Sequence, residues 1–314
     1  MSMKKYAFGV DIGGTTVKIG LFDTDGNLLE KWEIPTRTED GGSRILPDIA
    51  EAVRSKLEEA EITPDDIQGI GLGVPGPVLN DSIVNKCVNL GWGVIDAAGE
   101  LRKLTGISNV AAGNDANVAA LGEMWKGAGE GRANVVMVTL GTGVGGGIIL
   151  NGKIVSGIHG AAGEIGHIKV TGDESDSCGC GKKGHLEQYA SATGIVRKAK
   201  ELLQDESRGS ALRQEKEITA KAVFDAARNG DELSKEVVGF ACARLGQALS
   251  YIANVIDPEV FVLGGGVSKA GSILLSEVKK YYQQDVFHAS ENTEIALATC
   301  GNDAGMYGAV KMIL

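Results

Sequence analysis

His167, Cys178, Cys180 and His185 fall within one short glycine-rich stretch and supply two imidazoles and two thiols. By type this is a tetrahedral zinc ligand set. A Cys-x-Cys spacing is less diagnostic than paired Cys-x-x-Cys motifs, and a single His or Cys is usually a packing residue, but four together point to a metal. A second chemistry is suggested by two glycine-threonine turns between apolar runs, Gly13-Gly14-Thr15-Thr16 and Gly141-Thr142-Gly143. Such turns aim backbone N–H groups and hydroxyls at phosphate oxygens, because glycine has no Cβ to block approach. The plain alternative is a pair of ordinary hairpin turns. Asp11 favours the first reading, since a carboxylate beside a phosphate loop is repulsive unless a cation such as Mg²⁺ lies between them.

Three more carboxylates qualify. Asn114-Asp115 has two readings: a helix cap, or a carboxylate placed to accept the proton of a substrate hydroxyl. For the similar Asn302-Asp303 the cap is the preferred reading. Glu164 and Glu187 are either surface charges or acceptors for paired sugar hydroxyls. Two Gly-x-Gly-x-x-Gly matches, at Gly71 and Gly141, are not followed by helical patterns, which argues against a dinucleotide fold. Gly147 to Ile154 misses the P-loop, with Ile154 where the metal-binding Ser/Thr belongs, and reads as a tight turn between strands.

The elements that must position these groups form an α/β pattern. Tyr6 to Phe22 reads as a hairpin about a glycine turn, Ile45, Ile49, Val53 and Leu57 line one face of a helix over 43–60, and Ile67 to Val74 is a strand. Asn134 to Leu150 repeats the strand, turn and strand. Helical patterns follow at 192–204, 219–229 and 231–256, the last stopped by Asp257-Pro258. Gly113-Asn-Asp-Ala recurs as Gly301-Asn-Asp-Ala, and Ile70-Gly-Leu-Gly-Val as Val262-Leu-Gly-Gly-Gly-Val. These echoes lie about 190 residues apart while the glycine turns lie about 130 apart, so the chain reads as a duplication with roughly 60 extra residues at 157–220.

Composition sets the limits. The 314 residues suit two domains. The 46 glycines are about twice the ordinary share. A net charge of −10 without a basic patch argues against nucleic acid and anionic membranes. No apolar run is long enough to span a bilayer. Five cysteines and no export signal point to the cytoplasm.

Taken in order, Asp11-Ile-Gly-Gly-Thr-Thr-Val-Lys, Gly113-Asn-Asp-Ala-Asn-Val-Ala-Ala-Leu-Gly-Glu, Leu140-Gly-Thr-Gly-Val-Gly-Gly-Gly, Gly163-Glu-Ile-Gly-His and Cys178-Gly-Cys-Gly-Lys-Lys-Gly-His-Leu-Glu resemble the ROK family of repressors, open reading frames and kinases, most closely its glucokinases. The resemblance covers essentially the whole chain. It implies a duplicated actin-like (ribonuclease H-like) sugar-kinase fold with two lobes around a cleft. The expected small lobe is 1–120 with the C-terminal helix 301–314 packing back, and the large lobe is 121–300 with the zinc-type loop near 157–190. It further implies ATP-dependent phosphorylation of the 6-hydroxyl of glucose, with Asp115 as base and Asn114, Glu164, His167, Glu187 and the Gly76 turn on the sugar. Asp11, Gly13, Gly14, Thr15, Thr16, Thr142 and Gly143 would hold ATP and Mg²⁺, with Gly265 and Gly266 nearer the nucleoside. A homodimer or homotetramer is expected. His185 stands where the family pattern has a third cysteine, so the implied structural zinc site is Cys2His2. Two rivals remain open: a kinase for another hexose or N-acetylmannosamine, and a sugar-responsive regulator. Regulators of this family carry an N-terminal helix-turn-helix domain, whereas here the first strand begins within six residues of the start.

Overall fold

Apolar residues on both faces make Tyr6–Ile12 a central strand, β1, and the turn after it returns the chain as β2 (Thr16–Asp23). In the computed structural model, which describes residues 4–314, the two pair antiparallel with Asp11 opposite Lys18. β3 (Leu28–Pro35) forms the antiparallel edge, where a terminal proline costs no ladder bond. β4 (Ile67–Val74), buried at every position but Gln68, lies parallel to β1 on its other side. A small antiparallel sheet of β5 (Val78–Leu79), β6 (Ile83–Cys87) and β7 (Trp92–Asp96) precedes β8 (Val110–Asn114), which is parallel to β4. The order is β3-β2-β1-β4-β8.

Between β3 and β4 come a short turn, α1 (Glu39–Gly42), and the helix predicted over 43–60, found as α2 (Ile45–Glu59). Ile45, Ile49, Val53 and Leu57 are buried together with Phe8, Val10 and Leu72 of the sheet. The same core takes Leu101 of α3 (Ala97–Thr105), which is capped by Asp96 accepting from the Gly99 N–H at 2.9 Å. α4 (Asp115–Lys126) follows β8 directly.

The second half repeats the plan. β9 (Val135–Leu140), β10 (Val144–Leu150), β11 (Lys153–Ile154), β12 (Val260–Gly264) and β13 (Glu294–Leu297) stand in the order β11-β10-β9-β12-β13, matching the first sheet strand for strand. The echoed segments at 70 and 262 fall on the equivalent strands β4 and β12, so the duplication read from the echoes is structural. Asn151 and Gly152, both at positive φ, make the tight turn expected there. The extra residues expected at 157–220 lie within the longer stretch between β11 and β12, which carries α5 (Glu187–Ala190), α6 (Ala192–Leu202), α7 (Ala220–Arg228) and the long α8 (Glu232–Ile256). α8 stops at Asp257, which takes a left-handed conformation before Pro258. α9 (Ser272–Asp285) joins β12 to β13, and α10 (Ala304–Ile313) ends the chain.

Packing groups the chain into two units. One holds the chain up to Ala133 with Gly147–Gly163 and Thr299–Leu314; the other holds Asn134–Gly146 and Glu164–Ala298. Residues 121–133 and 147–163 thus pack with the first unit. All five cysteines are free thiols, and among the described residues no helix is long and apolar enough to cross a membrane.

Within the first unit α10 lies backbone to backbone on its neighbours. A Cβ at Gly71 of β4 would sit 1.8 Å from the Ala309 carbonyl oxygen, and one at Gly9 of β1 would sit 2.3 Å from that of Met306. Against α4, a Cβ at Gly308 would sit 1.7 Å from the Val118 oxygen, and one at Gly122 would sit 2.1 Å from that of Ala304. Neither partner can yield, because each is main chain. We therefore expect Gly308→Ala to destabilise the protein by about 3 kcal/mol or more, the upper range for overpacking. Thermal melts should show a clearly lowered Tm, and an unchanged Tm would contradict this packing.

Candidate active site

In the first unit the polar residues gather at the carboxyl ends of the parallel strands, where open α/β sheets bind ligands. Asp11 pairs in register with Gly73, Gly73 with Gly113, and Val74 with Asn114, so three adjacent strands end together. The Asp11 carboxyl lies against Gly305 at the start of α10 and 3.9 Å from Lys18 Nζ. Burial raises its pKa and Lys18 opposes the rise. The turn that follows is closed by Gly13 N–H donating to Thr16 O at 2.9 Å and braced by Thr36 Oγ1 donating to Gly13 O at 2.7 Å, leaving Gly14 and Thr15 exposed.

Asn114 caps α4, its Oδ1 accepting from Ala116 N–H (3.1 Å) and Asn117 N–H (3.2 Å). Its Nδ2 donates to the Gly76 carbonyl and to Asp115 Oδ1, both at 3.1 Å. Asp115 Oδ1 also accepts from Ala116 N–H at 2.8 Å. The cap is therefore made by Asn114, and Asp115 beside it is held through Oδ1. Gly76, at φ +130°, leaves little room for a Cβ, which would come 3.3 Å from Lys86 O, and the next residue ties the turn to the small sheet, Pro77 O accepting from Asn85 N–H at 2.8 Å. Asn89 lies in the turn before Trp92, whose Nε1 donates to Gly42 O at 3.1 Å. The second pair behaves differently. Asn302-Asp303 makes no side-chain cap on α10. Asp303 instead accepts from Lys31 Nζ at 2.6 Å, and the Asn302 carbonyl accepts from Lys18 Nζ at 3.2 Å. The expected cap fails because Asp303 is already in a helical conformation, φ −99°, ψ −6°, so its side chain cannot reach back to the first-turn N–H groups.

In the second unit, the Gly141-Thr142-Gly143 turn is tied to the first turn of α6: Ala192 N–H donates to Gly141 O at 2.8 Å and Thr193 Oγ1 to Thr142 O at 2.7 Å. Gly265, at φ +81°, sits on the end of β9, where a Cβ would come 2.5 Å from Leu140 O, and Gly266 follows it exposed. Gly143 approaches Glu187 Oε2. Thr142, Gly143, Cys178, Glu187, Thr193 and Arg197 line part of a cavity of about 490 Å³.

The zinc-type residues converge. His167 Nδ1 is 3.2 Å from His185 Nδ1 and 3.7 Å from Cys178 Sγ, and Cys180 Sγ is 3.4 Å from His185 Nδ1. All four ligand atoms lie within 4.8 Å of one another. A tetrahedral ion with Zn–N of about 2.0–2.1 Å and Zn–S of about 2.3 Å separates its ligand atoms by about 3.3 to 3.8 Å. The residues therefore fit zinc. Burial pushes the Cys178 thiol up to about 11, with Glu187 Oε1 accepting its hydrogen at 2.7 Å. Burial and the His167 ring lower His185, keeping it in the neutral form that ligates. On the far side of the His167 ring, Nε2 faces Glu164 Oε2 at 3.8 Å.

Residues 7–314 match the model of the ROK family. The chain belongs to the ROK family. A glucokinase of Halalkalibacterium halodurans is 44% identical over 309 residues, 97% of this chain and 93% of that protein. A glucokinase of Thermotoga maritima is 34% identical over 97% of this chain and 96% of its own length. A ROK glucokinase of Streptomyces griseus, solved with glucose and AMPPNP, superposes with a TM-score of 0.76 at 32% identity and 98% coverage of both chains. The duplicated α/β architecture is thus the actin-like sugar-kinase fold of the ROK proteins.

The motifs passed over two groups. Glu123 is wholly buried in α4, where it accepts from the N–H groups of Ala128 (2.9 Å), Thr299 (3.0 Å) and Cys300 (2.8 Å). Its signal in the sequence was a lone carboxylate inside the apolar run Val118 to Met124. Arg197 and Glu174 carried no signal, since their partners are remote in sequence. For the metal residues we expect about one zinc per chain by elemental analysis, kept in His185→Cys and lost in His185→Ala. Because thiolates and neutral imidazoles are the ligating forms, zinc should be released as pH falls. Purified protein without zinc at neutral pH would refute the site.

Proposed function

We infer that this chain is a glucokinase, transferring the γ-phosphoryl group of ATP to the 6-hydroxyl of glucose. The observation that carries the reading is Asp115, held at the mouth of α4 by the Asn114 side chain and by a backbone N–H, in a chain similar along nearly its full length to two glucokinases. Phosphoryl transfer passes through a loose transition state, so the protein chiefly positions the reactants and neutralises charge. Asp115 takes the proton of the 6-hydroxyl as the oxygen attacks. Its Oδ1 is already committed to two donors, which fixes the plane of the carboxylate before the sugar arrives.

Asn114, the Gly76 turn, Glu164, His167 and Glu187 are assigned to the sugar. The pairing of His167 Nε2 with Glu164 Oε2 supports this, because a donor and an acceptor side by side suit vicinal hydroxyls. The turn of Gly13 to Thr16, exposed at Gly14 and Thr15, and that of Thr142-Gly143, exposed at Thr142, are assigned to the phosphates, and Gly265-Gly266 to the nucleoside. Mg²⁺ would be held near Asp11, where it offsets the charge of the phosphates; Lys18 keeps cationic charge beside that carboxyl. Zinc on His167, Cys178, Cys180 and His185 would be structural, fixing the His167 ring. We assign the protein to the cytoplasm and to a homodimer or homotetramer.

A coupled ADP-release assay over a panel of hexoses and N-acetylmannosamine with Mg²⁺-ATP tests the substrate, and glucose should give the highest kcat/KM. Preference for another sugar would replace glucose but keep the kinase. Asp115→Asn should lower kcat roughly 100-fold or more, the scale of a lost general base, while glucose still binds in calorimetry. Near-native turnover by a variant verified by mass would remove Asp115 from this role.

A further inference from the structure

The Cys/His loop and the glycine turn at 141–143 share one support, helix α6, and a single guanidinium on that helix holds both ends of the loop. Arg197 grips Glu174 with both terminal nitrogens, Nη2 to Oε2 at 2.7 Å and Nη1 to Oε1 at 3.1 Å. It also donates from Nη1 to Asp176 Oδ2 at 3.0 Å and from Nη2 to the Gln188 carbonyl at 3.1 Å. Asp176 lies two residues before Cys178. Gln188 follows Glu187, and its Oε1 accepts from the His185 N–H at 3.1 Å while its Nε2 donates to the Asp176 carbonyl at 2.9 Å. Tyr189 OH completes the cluster on Glu174 Oε2 at 2.7 Å. One helical turn earlier, Thr193 and Ala192 hold the 141–143 turn.

We propose that Arg197, paired with Glu174, is a positioning residue that locks the Cys/His loop onto the helix carrying the 141–143 turn and so sets Glu187 and His167 for the sugar. The proposal rests on the kinase reading above. The pair is bidentate and mostly shielded on the Glu174 side, which is the geometry in which an arginine-carboxylate contact is most directional. The interaction holds the Glu174 carboxyl down at about 2, so it stays ionised through the working range. The glycine turn has its own backbone ties to α6 and does not need the guanidinium. Losing Arg197 should therefore affect the sugar and metal side more than the nucleotide side.

The test compares wild type, Arg197→Met, Arg197→Lys and Glu174→Gln. Arg197→Met should raise the KM for glucose about tenfold or more and leave the KM for ATP within about twofold. It should also speed zinc release to a colorimetric chelator by about tenfold or more, the scale of lost support around a metal ligand. Glu174→Gln should reproduce both effects and add little in the double variant. Arg197→Lys keeps the charge without the fork, so it should fall between and supplies the reading if Arg197→Met does not fold. A merely structural arginine would lower the Tm with both KM values and the zinc release rate unchanged, and that result overturns the proposal. Wild type that binds zinc but does not phosphorylate any sugar would overturn the kinase reading instead, leaving the zinc release rates to decide the role of Arg197.

Discussion

Main chain meeting main chain along α10 is the contact on which the first unit depends. Gly9 and Gly71 give the sheet a flat strip, Gly122 and Gly308 do the same between α4 and α10, and no side chain stands between these surfaces. Two carboxylates are located by this one packing. The first turn of α10 places Gly305 against Asp11, and α4, held against α10, begins with Asp115. At these positions glycine is a requirement for proximity. Buried Glu123 then fixes the strand of chain that leads into α10, since three backbone N–H groups from two segments converge on its carboxylate. Leaving such donors without an acceptor in a dry interior is costly.

The second unit solves a different problem. Its Cys/His region, 155–186, contains little regular structure beyond an antiparallel bridge of Lys169 with His185, closed by Val170 N–H donating to Gly184 O at 2.8 Å and Leu186 N–H to Ile168 O at 2.9 Å. Side chains add a metal-type cluster at its centre and the Arg197 group at its edge. Glycines at positive φ, such as Gly181 and Gly184, allow the chain to turn back on itself between the ligands.

What could be read in the sequence was local or repeated. The hairpin of β1 and β2, the face of α2 and the stop of α8 all follow from periodicity and turn chemistry within a few residues. The duplication was visible because echoes fell on equivalent strands, and the strand orders of the two sheets agree. The four metal-type residues were legible because they sit close in sequence. The small sheet β5-β6-β7 was not, since its strands are short and carry exposed Val94 beside buried Val84 without a clear pattern. Asp303 was misjudged for a physical reason: a capping residue needs an extended backbone, and whether it has one depends on Lys31 and on how the chain enters α10. Glu174 and Arg197 meet across 23 residues, a distance that local patterns do not encode.

The order of synthesis gives the C-terminal helix a further meaning. Gly9 and Gly71 emerge early from the ribosome, yet the backbone that covers them, Met306 to Ala309, is made more than 230 residues after Gly71. Until then one face of the first sheet is uncovered, with Ala7 and Phe22 lacking the Met306, Val310 and Ile313 side chains that bury them. The second unit, contained in residues 134–298, is complete before that helix appears. The half bearing Asp11 and Asp115 therefore cannot close its core until the last helix has been made, after all the residues of the second unit.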